Sequence, residues 1–360
     1  MLLVMSESIL FQPVTLGDLH LSNRVVMAPL TRARAVDERT PNELMREYYV
    51  QRASAGLILS EATSVSPGGV GYADTPGIWS HRQVEGWRNI TSAVHSAGGK
   101  ILLQLWHVGR VSDPSFLNGE LPVAPSAIAA PGHVSLLRPQ RPFVTPRALD
   151  RNELPGIVEA YRQGAANALE AGFDGVEIHG ANGYLLDQFL QDGSNRREDE
   201  YGGSIENRAR LMLEVTDAVV SVWGPGKVGM HLAPRGDSHG MGDSNLPATF
   251  GYVAEQLGRR KLAFLALRES VGPDSLGPQL KALFGGGLIA NEKFSGAEAE
   301  RVIRQGKADA VAFGKDFIAN PDLVARLRQG ASLNVPDPST FYGGGARGYV
   351  DYPVLVEAHS

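Results

Sequence analysis

Eight short apolar runs, each followed by a helix signal, constrain this chain more than anything else in it. The runs are Arg24–Pro29, Leu57–Ala62, Ile101–Trp106, Val176–Ile178, Lys227–Ala233, Leu262–Leu267, Gly287–Ala290 and Ala308–Phe313. Near-continuous apolar stretches of this length read as strands buried on both faces. Between them lie N-cap signatures: Thr40-Pro-Asn-Glu43, Ser80-His-Arg-Gln83, Asp150-Arg-Asn-Glu153, Ser204, Ser295-Gly-Ala-Glu298 and Asn320-Pro321. Each pairs a capping side chain with a reciprocal Glu or Gln, a Pro at the first helical position, or an amphipathic run. The first helix is expected to run to Gly56, the fifth from about Thr249 to Arg259, and the sixth around 274–283. Hairpin turns are absent between these strands, so each helix must carry the chain back and the strands must be parallel. The fold expected is α/β: one (β/α)8 TIM barrel domain spanning residues 1–360, with a doubly wound open sheet as the alternative.

The connections are uneven. Residues 108–149 hold seven prolines and no helical period. A loop of that length inside a compact domain usually covers a site, and it is expected as an excursion over the barrel mouth. Residues 9–22 are expected to form an N-terminal hairpin lid, with Phe11, Val14 and Leu16 alternating before the turn at Gly17-Asp18. The tail carries Tyr342 followed by Gly343-Gly344-Gly345, which either presents the tyrosine over the mouth or packs on the barrel exterior.

Composition removes several functions. No cysteine is present, which excludes disulfides, thiolate metal sites and cysteine nucleophiles. A net charge of −5 without a Lys/Arg run argues against nucleic acid and anionic membranes as partners. No stretch approaches the ~20 apolar residues of a membrane span. Met1–Glu7 has no basic region of the signal-peptide kind. A cytoplasmic enzyme acting on a small molecule is expected, and the sequence is silent on self-association.

In a (β/α)8 barrel, functional side chains sit where strands end. The fourth strand delivers His179 there, and Asn182 and Tyr184 follow through Gly180 and Gly183. An imidazole and a carboxamide can both donate to one oxygen, and a phenol can deliver a proton beside it. The alternative is that these residues merely cap the next helix. Other strand ends carry Thr31, Gln104, Trp106, His231 and Gly314. Ala290-Asn291 and Gly314-Lys315 end the seventh and eighth strands, where such barrels often cradle a phosphate. Gln104 is a carboxamide inside an apolar run, suited to the imide edge of a pyrimidine-like ring or to a neighbouring strand's side chain. The nine histidines are scattered without a zinc-binding spacing, and no nucleophile elbow is present, so no metal is expected.

Longer motifs carry a resemblance. His179-Gly-Ala-Asn-Gly-Tyr-Leu-Leu-Asp-Gln-Phe-Leu190, Ser194-Asn-Arg196, Glu200-Tyr-Gly-Gly-Ser-Ile-Glu-Asn-Arg-Ala-Arg210, Ala28-Pro29-Leu30-Thr31-Arg32, Glu61-Ala-Thr63, Gln104-Leu-Trp-His-Val-Gly-Arg110, Val311-Ala-Phe-Gly314, Phe317-Ile-Ala-Asn-Pro-Asp322 and Tyr342-Gly-Gly-Gly345 stand in order along the chain. Together they resemble the Old Yellow Enzyme family of FMN-dependent ene-reductases. The resemblance implies an FMN site built from Ala28, Pro29, Leu30, Thr31, Ala62, Gln104, His231, Ala290, Asn291, Phe313, Gly314 and Lys315. It implies that His179 and Asn182 bind a substrate carbonyl, that Tyr184 donates the proton, and that Trp106 and Tyr342 shape the pocket. The implied reaction is ping-pong: NADPH or NADH reduces the flavin, and an α,β-unsaturated carbonyl compound then takes the hydride. A nitrate-ester or nitroaromatic reductase on the same barrel is the alternative, and a flavin-binding protein without turnover a remoter one.

Two positions depart from the family pattern. His231 stands where an arginine usually faces the flavin, and Arg235 is a candidate to compensate. With a histidine titrating near ~6.5 there, the flavin potential is expected to vary more with pH. Lys315 replaces a second arginine and gives up its bidentate fork.

Overall fold

The computed structural model describes residues 8–355. Met1–Glu7, on which the expectation about a signal peptide rests, and residues 356–360 lie outside the described residues. A two-stranded antiparallel hairpin, β1 (Val14–Leu16) and β2 (Leu19–Leu21), precedes a closed barrel. The barrel strands are β3 (Val25–Met27), β4 (Leu57–Ser64), β5 (Ile101–Trp106), β8 (Gly175–His179), β9 (Val228–Leu232), β10 (Phe264–Arg268), β11 (Gly287–Asn291) and β12 (Ala310–Phe313). All eight pair in parallel, and β12 closes on β3 through Ala312↔Val26. The barrel expected from the apolar runs is therefore the one observed.

Strand parity decides what each residue faces, because successive side chains alternate across a pleat. Val26, Leu59, Leu102, Phe264, Ala266, Ile289, Ala310 and Ala312 fill the interior. Val25, Met27, Leu103, Val176, Met230, Leu265 and Val311 face the surrounding helices. The ring of Phe264 occupies the space that a side chain at Gly229 would take.

The helices are α1 (Glu43–Val50), α2 (His81–Ser96), α3 (Leu154–Glu170), α4 (Leu185–Leu190), α5 (Ile205–Trp223), α6 (Leu246–Arg259), α7 (Gly277–Phe284), α8 (Gly296–Arg304), α9 (Lys315–Ala319) and α10 (Leu323–Gln329). The capping boxes at Ser80/Gln83 and Ser295/Glu298 form as read, with both reciprocal bonds present. Such caps contribute about 1 kcal/mol each.

Two other starts differ from expectation. The cap of α1 is Asn42, whose Oδ1 accepts the Met45 N–H at 3.0 Å, not Thr40; its Nδ2 is held by the Arg34 carbonyl at 2.7 Å. Asn320 ends α9 instead of starting α10: its Nδ2 donates back to the Asp316 carbonyl at 2.8 Å, and Asp322 precedes α10.

The hairpin is not a lid. Leu16, Leu19 and Leu21 pack into the interior cluster beneath Val26, Leu57 and Phe264, at the ends where the barrel strands begin. They plug the bottom of the barrel, opposite the strand C-termini. Apolar alternation showed that the hairpin had a buried face but not which end of the barrel would bury it. The long excursion does lie over the mouth. It pairs β6 (Val123–Ala124) with β7 (Arg147–Ala148) and bridges His133 to Pro142, and Val108, Val111, Ala130, Val134 and Phe143 pack with Ala62, Tyr72 and Trp106.

Candidate active site

His179 ends β8, and His231, one residue before the end of the adjacent β9, pairs with it in register. Their rings stack with centroids 5.2 Å apart. Parity points both into the barrel, where each is at most 5% exposed. Burial, with His231 and Arg268 nearby, holds His179 well below the usual imidazole range, so it is neutral. The Ala181 N–H donates to its Nδ1 at 3.4 Å, which leaves the ring proton on Nε2. His231 is also neutral: burial and then Arg268 bring it down to about 3. Gln104 Nε2 donates to its Nδ1 at 3.1 Å, so His231 carries its proton on Nε2, a buried donor without a partner.

Gln104 is committed further. Its Nε2 also donates to Glu177 Oε2 at 2.6 Å. Both amide hydrogens thus go to neighbouring strands, and the donor–acceptor pair expected for a pyrimidine edge narrows to the Oε1 acceptor. Glu177 is completely buried beneath His179, and burial pushes its carboxyl up to about 8. It is neutral at pH 7.

The turn after β8 is tightly built. Asn182 sits at φ +60° and Gly183 at φ +76°, and a side chain at Gly183 would meet the Ser238 carbonyl. Asp187 Oδ2 accepts the Gly183 N–H at 2.9 Å, while no side chain of this turn caps α4. The alternative reading of His179, Asn182 and Tyr184 as capping residues is therefore set aside. Tyr184 lies edge-on to His179 and Trp106, with centroids 5.0 Å from each. Its hydroxyl is 2.9 Å from that of Tyr72. Burial and the Tyr72 phenol hold Tyr184 well above the usual phenol range, so its proton is retained. Trp106, 1% exposed, stacks between Tyr72 and His179 as the wall behind them.

Tyr342 is brought to the mouth by two buried arginines of the loop after β3. Arg32 donates to the carbonyls of Phe341 at 2.9 Å and Gly348 at 2.8 Å; Arg34 donates to those of Thr340 at 2.9 Å and Gly345 at 3.1 Å. The Gly343 N–H returns to the Arg32 carbonyl at 2.9 Å. The tail therefore serves the mouth.

Two cavities open there. One of about 390 Å³ lies between Thr31, Tyr72, Tyr184, Tyr342 and the excursion from His133 to Leu136 with Arg138 and Gln140. The other is a groove of about 900 Å³ lined by Ala28, Pro29, Leu30, Thr31, Asn182, His231, Arg268, Asn291, Phe313, Gly314, Lys315 and Tyr342, among others. Most of the expected cofactor residues thus share one groove. Ala290 does not: its side chain turns outward against the helix-facing core, leaving its main chain alone for the groove side. Phe313 lines the groove although its ring belongs to the outer core. Ala62 is buried behind the mouth with Trp106 and Tyr72.

Arg235 does not compensate for the missing arginine. It is tied to Glu269 at 2.6 Å, to Asp274 and to the Ser270 carbonyl, outside the groove. Arg268, at the end of β10, does reach the groove, on the same lining as His231. Reading that strand as Leu262–Leu267 stopped one residue short of it, and the inward parity of Phe264 and Ala266 would have pointed Arg268 to the mouth. Tyr72 was missed because its loop has no period. Among the described residues, no group of three or more His, Asp or Glu side chains could hold a metal ion, and no helix is long and apolar enough to cross a membrane.

Residues 9–334 match the model of the NADH:flavin oxidoreductase / NADH oxidase family. The chain is 44% identical over 359 residues to a probable flavin mononucleotide-dependent alkene reductase of Leishmania infantum, covering 97% of this chain and 98% of that protein. It is 42% identical over 363 residues to 12-oxophytodienoate reductase 1 of Oryza sativa subsp. japonica, covering 97% and 93%. Among solved structures, morphinone reductase superposes with a TM-score of 0.95 at 50% identity, covering 99% of each chain. The old yellow enzyme homologue of Zymomonas mobilis gives 0.93 at 44%, covering 96% and 99%. A barrel with this mouth and this match along nearly its whole length belongs to the NADH:flavin oxidoreductase / NADH oxidase family, that of the Old Yellow Enzymes.

Proposed function

We propose that this protein is an FMN-dependent ene-reductase that reduces the activated C=C bond of α,β-unsaturated carbonyl compounds. The observation that supports the reading is His179 packed edge-on to Tyr184 at 5.0 Å at one strand mouth, with Asn182 of the same turn lining the 900 Å³ groove. The groove suits FMN on chemical grounds. His231 Nε2 is a buried donor lacking a partner, Thr31 adds a hydroxyl, and Gly314 with Lys315 offers open backbone and a cation for a phosphate; Gln104, behind the groove against His231, keeps its Oε1 acceptor. Bound FMN supplies the two-electron chemistry, with NADH or NADPH as hydride source.

The chain's own residues position and polarise. His179 Nε2–H and Asn182 Nδ2–H hold the substrate carbonyl oxygen, where negative charge grows as Cβ is reduced. One such donor is worth roughly 3–4 kcal/mol in oxyanion sites. Neutral His179 serves as a donor without giving up its proton. Tyr184 delivers a proton to Cα, and Tyr72 holds the phenol in place. Trp106 backs both residues, and Tyr342 and the excursion flank the mouth. The reading places the enzyme in the cytoplasm, where reduced nicotinamide nucleotide is supplied.

An anaerobic absorbance titration tests this. Flavin bands of the purified protein should bleach with NADPH or NADH and return with 2-cyclohexenone. Bleaching without return would remove enones and leave nitro compounds as acceptors. A colourless protein that FMN does not restore would refute the groove assignment.

A further inference from the structure

Asn182 does not face the mouth alone. Arg268 Nη1 donates to its Oδ1 at 2.9 Å, and Arg268 Nε donates to Glu292 Oε2 at 2.7 Å. A guanidinium has no acceptor. The amide atom against it must therefore be the oxygen, and Nδ2 must be the end left over. The orientation of the amide is thereby fixed on chemical grounds.

The arrangement is held from several directions. Asn182 sits at φ +60° and Glu292 at φ +110°, backbone conformations that non-glycine residues rarely adopt. Strain of this kind persists only where the surroundings impose it, and it concentrates at functional sites. The Asn182 carbonyl is also fixed, accepting from His239 Nδ1 at 2.8 Å. Arg268 thus lies between two residues in strained conformations, in the same groove as His231.

We propose that Arg268 is a positioning residue for Asn182: it captures the amide oxygen and thereby presents Nδ2–H to the substrate's carbonyl oxygen. Without it the amide flips freely, and half of its orientations set an oxygen against the substrate oxygen. Arg268 also adds a fixed positive charge near His179 and His231, which favours their neutral forms. The same charge favours negative charge developing on the substrate oxygen. This inference rests on the carbonyl-binding role given to Asn182 above.

The test is a binding measurement on the oxidised FMN-loaded enzyme, which requires no turnover. 2-Cyclohexenone is titrated while the perturbation of the flavin absorbance is followed, for the parent, Arg268→Ala, Arg268→Lys, Asn182→Ala and the double variant Arg268→Ala/Asn182→Ala. Arg268→Ala should weaken binding about as much as Asn182→Ala, on the order of tenfold for one lost donor. The double variant should be no weaker than Asn182→Ala alone, because coupled residues are not additive. Arg268→Lys keeps a donor for Oδ1 and should recover much of the affinity. Fully additive losses, or normal binding by Arg268→Ala beside weakened Asn182→Ala, would overturn the positioning role while leaving Asn182 as a ligand. Normal binding by Asn182→Ala would refute the Asn182 role itself, and the inference with it.

Discussion

The hydroxyl groups of Tyr72 and Tyr184 lie 2.9 Å apart, on the loop after β4 and the turn after β8. Two phenols at that distance share one hydrogen bond, so Tyr184 can give up its own proton only if Tyr72 does not draw on it. Replacing Tyr184 by Phe should slow reoxidation of the reduced enzyme by 2-cyclohexenone by roughly 10²–10⁴-fold, the usual worth of a general acid, while reduction by NADPH is little changed. Tyr72→Phe should slow the same step by a smaller factor. Both phenols are pushed up, Tyr72 to about 12, so the parent should lose no rate to phenol ionisation below pH 10. Stopped-flow absorbance from pH 6 to 10 measures this, and unaltered reoxidation by Tyr184→Phe would remove it as the donor.

Glu177 makes stability depend on pH. Its folded-state value of about 8 stands above the ordinary 4.5, so the folded chain keeps a proton that the unfolded chain releases between those values. The group's contribution is whole below about pH 4.5 and is lost as pH climbs toward 8. Glu177→Gln should therefore gain in Tm relative to the parent between pH 5 and pH 8, by on the order of a few °C. His107 and His231, pushed down to about 4 and about 3 by burial, act in the opposite sense below pH 6.5. They are common to both proteins and cancel in the difference. A Tm difference that stays constant with pH would show that Glu177 is ionised throughout.

Burial reverses one expectation about His231. A histidine titrating near its ordinary value would tie the flavin potential to pH, but at about 3 it is neutral across the range of interest. His231→Arg should therefore raise the potential by a constant offset from pH 6 to 8, since a fixed cation favours the reduced anionic flavin. Spectroelectrochemistry of the two proteins should give parallel lines. Converging lines would mean that His231 does titrate.

Lys315 opens α9 within the groove. Losing one charged partner of a phosphate costs about 1.5–3 kcal/mol, so Lys315→Ala should release FMN roughly tenfold or more readily in equilibrium dialysis. Lys315→Arg should retain it more tightly through a second hydrogen bond. Equal retention by all three would place the phosphate elsewhere.

The barrel was legible because buried parallel strands are apolar on both faces and because Ser80/Gln83 and Ser295/Glu298 announce their helices locally. His179, Asn182 and Tyr184 were legible because one short turn carries all three. Features set by partners distant in the chain were not. Nothing in Leu16 or Leu19 says which end of the barrel it plugs. Arg268 became visible as a site residue only when Asn182, 86 positions away, met its guanidinium. The burial that neutralises His231 comes from the barrel strands packed around it, not from its neighbours in sequence.

The plug formed by Leu16, Leu19 and Leu21 has a kinetic consequence. With the interior packed and the floor sealed, nicotinamide nucleotide and alkene should enter and leave by the same doorway, between the excursion and the tail that carries Tyr342. Neither can approach while the other is seated. Each reactant in excess should thus delay the half-reaction that belongs to the other, and the enzyme's throughput is set by the ratio of the two in its surroundings as much as by the amount of either.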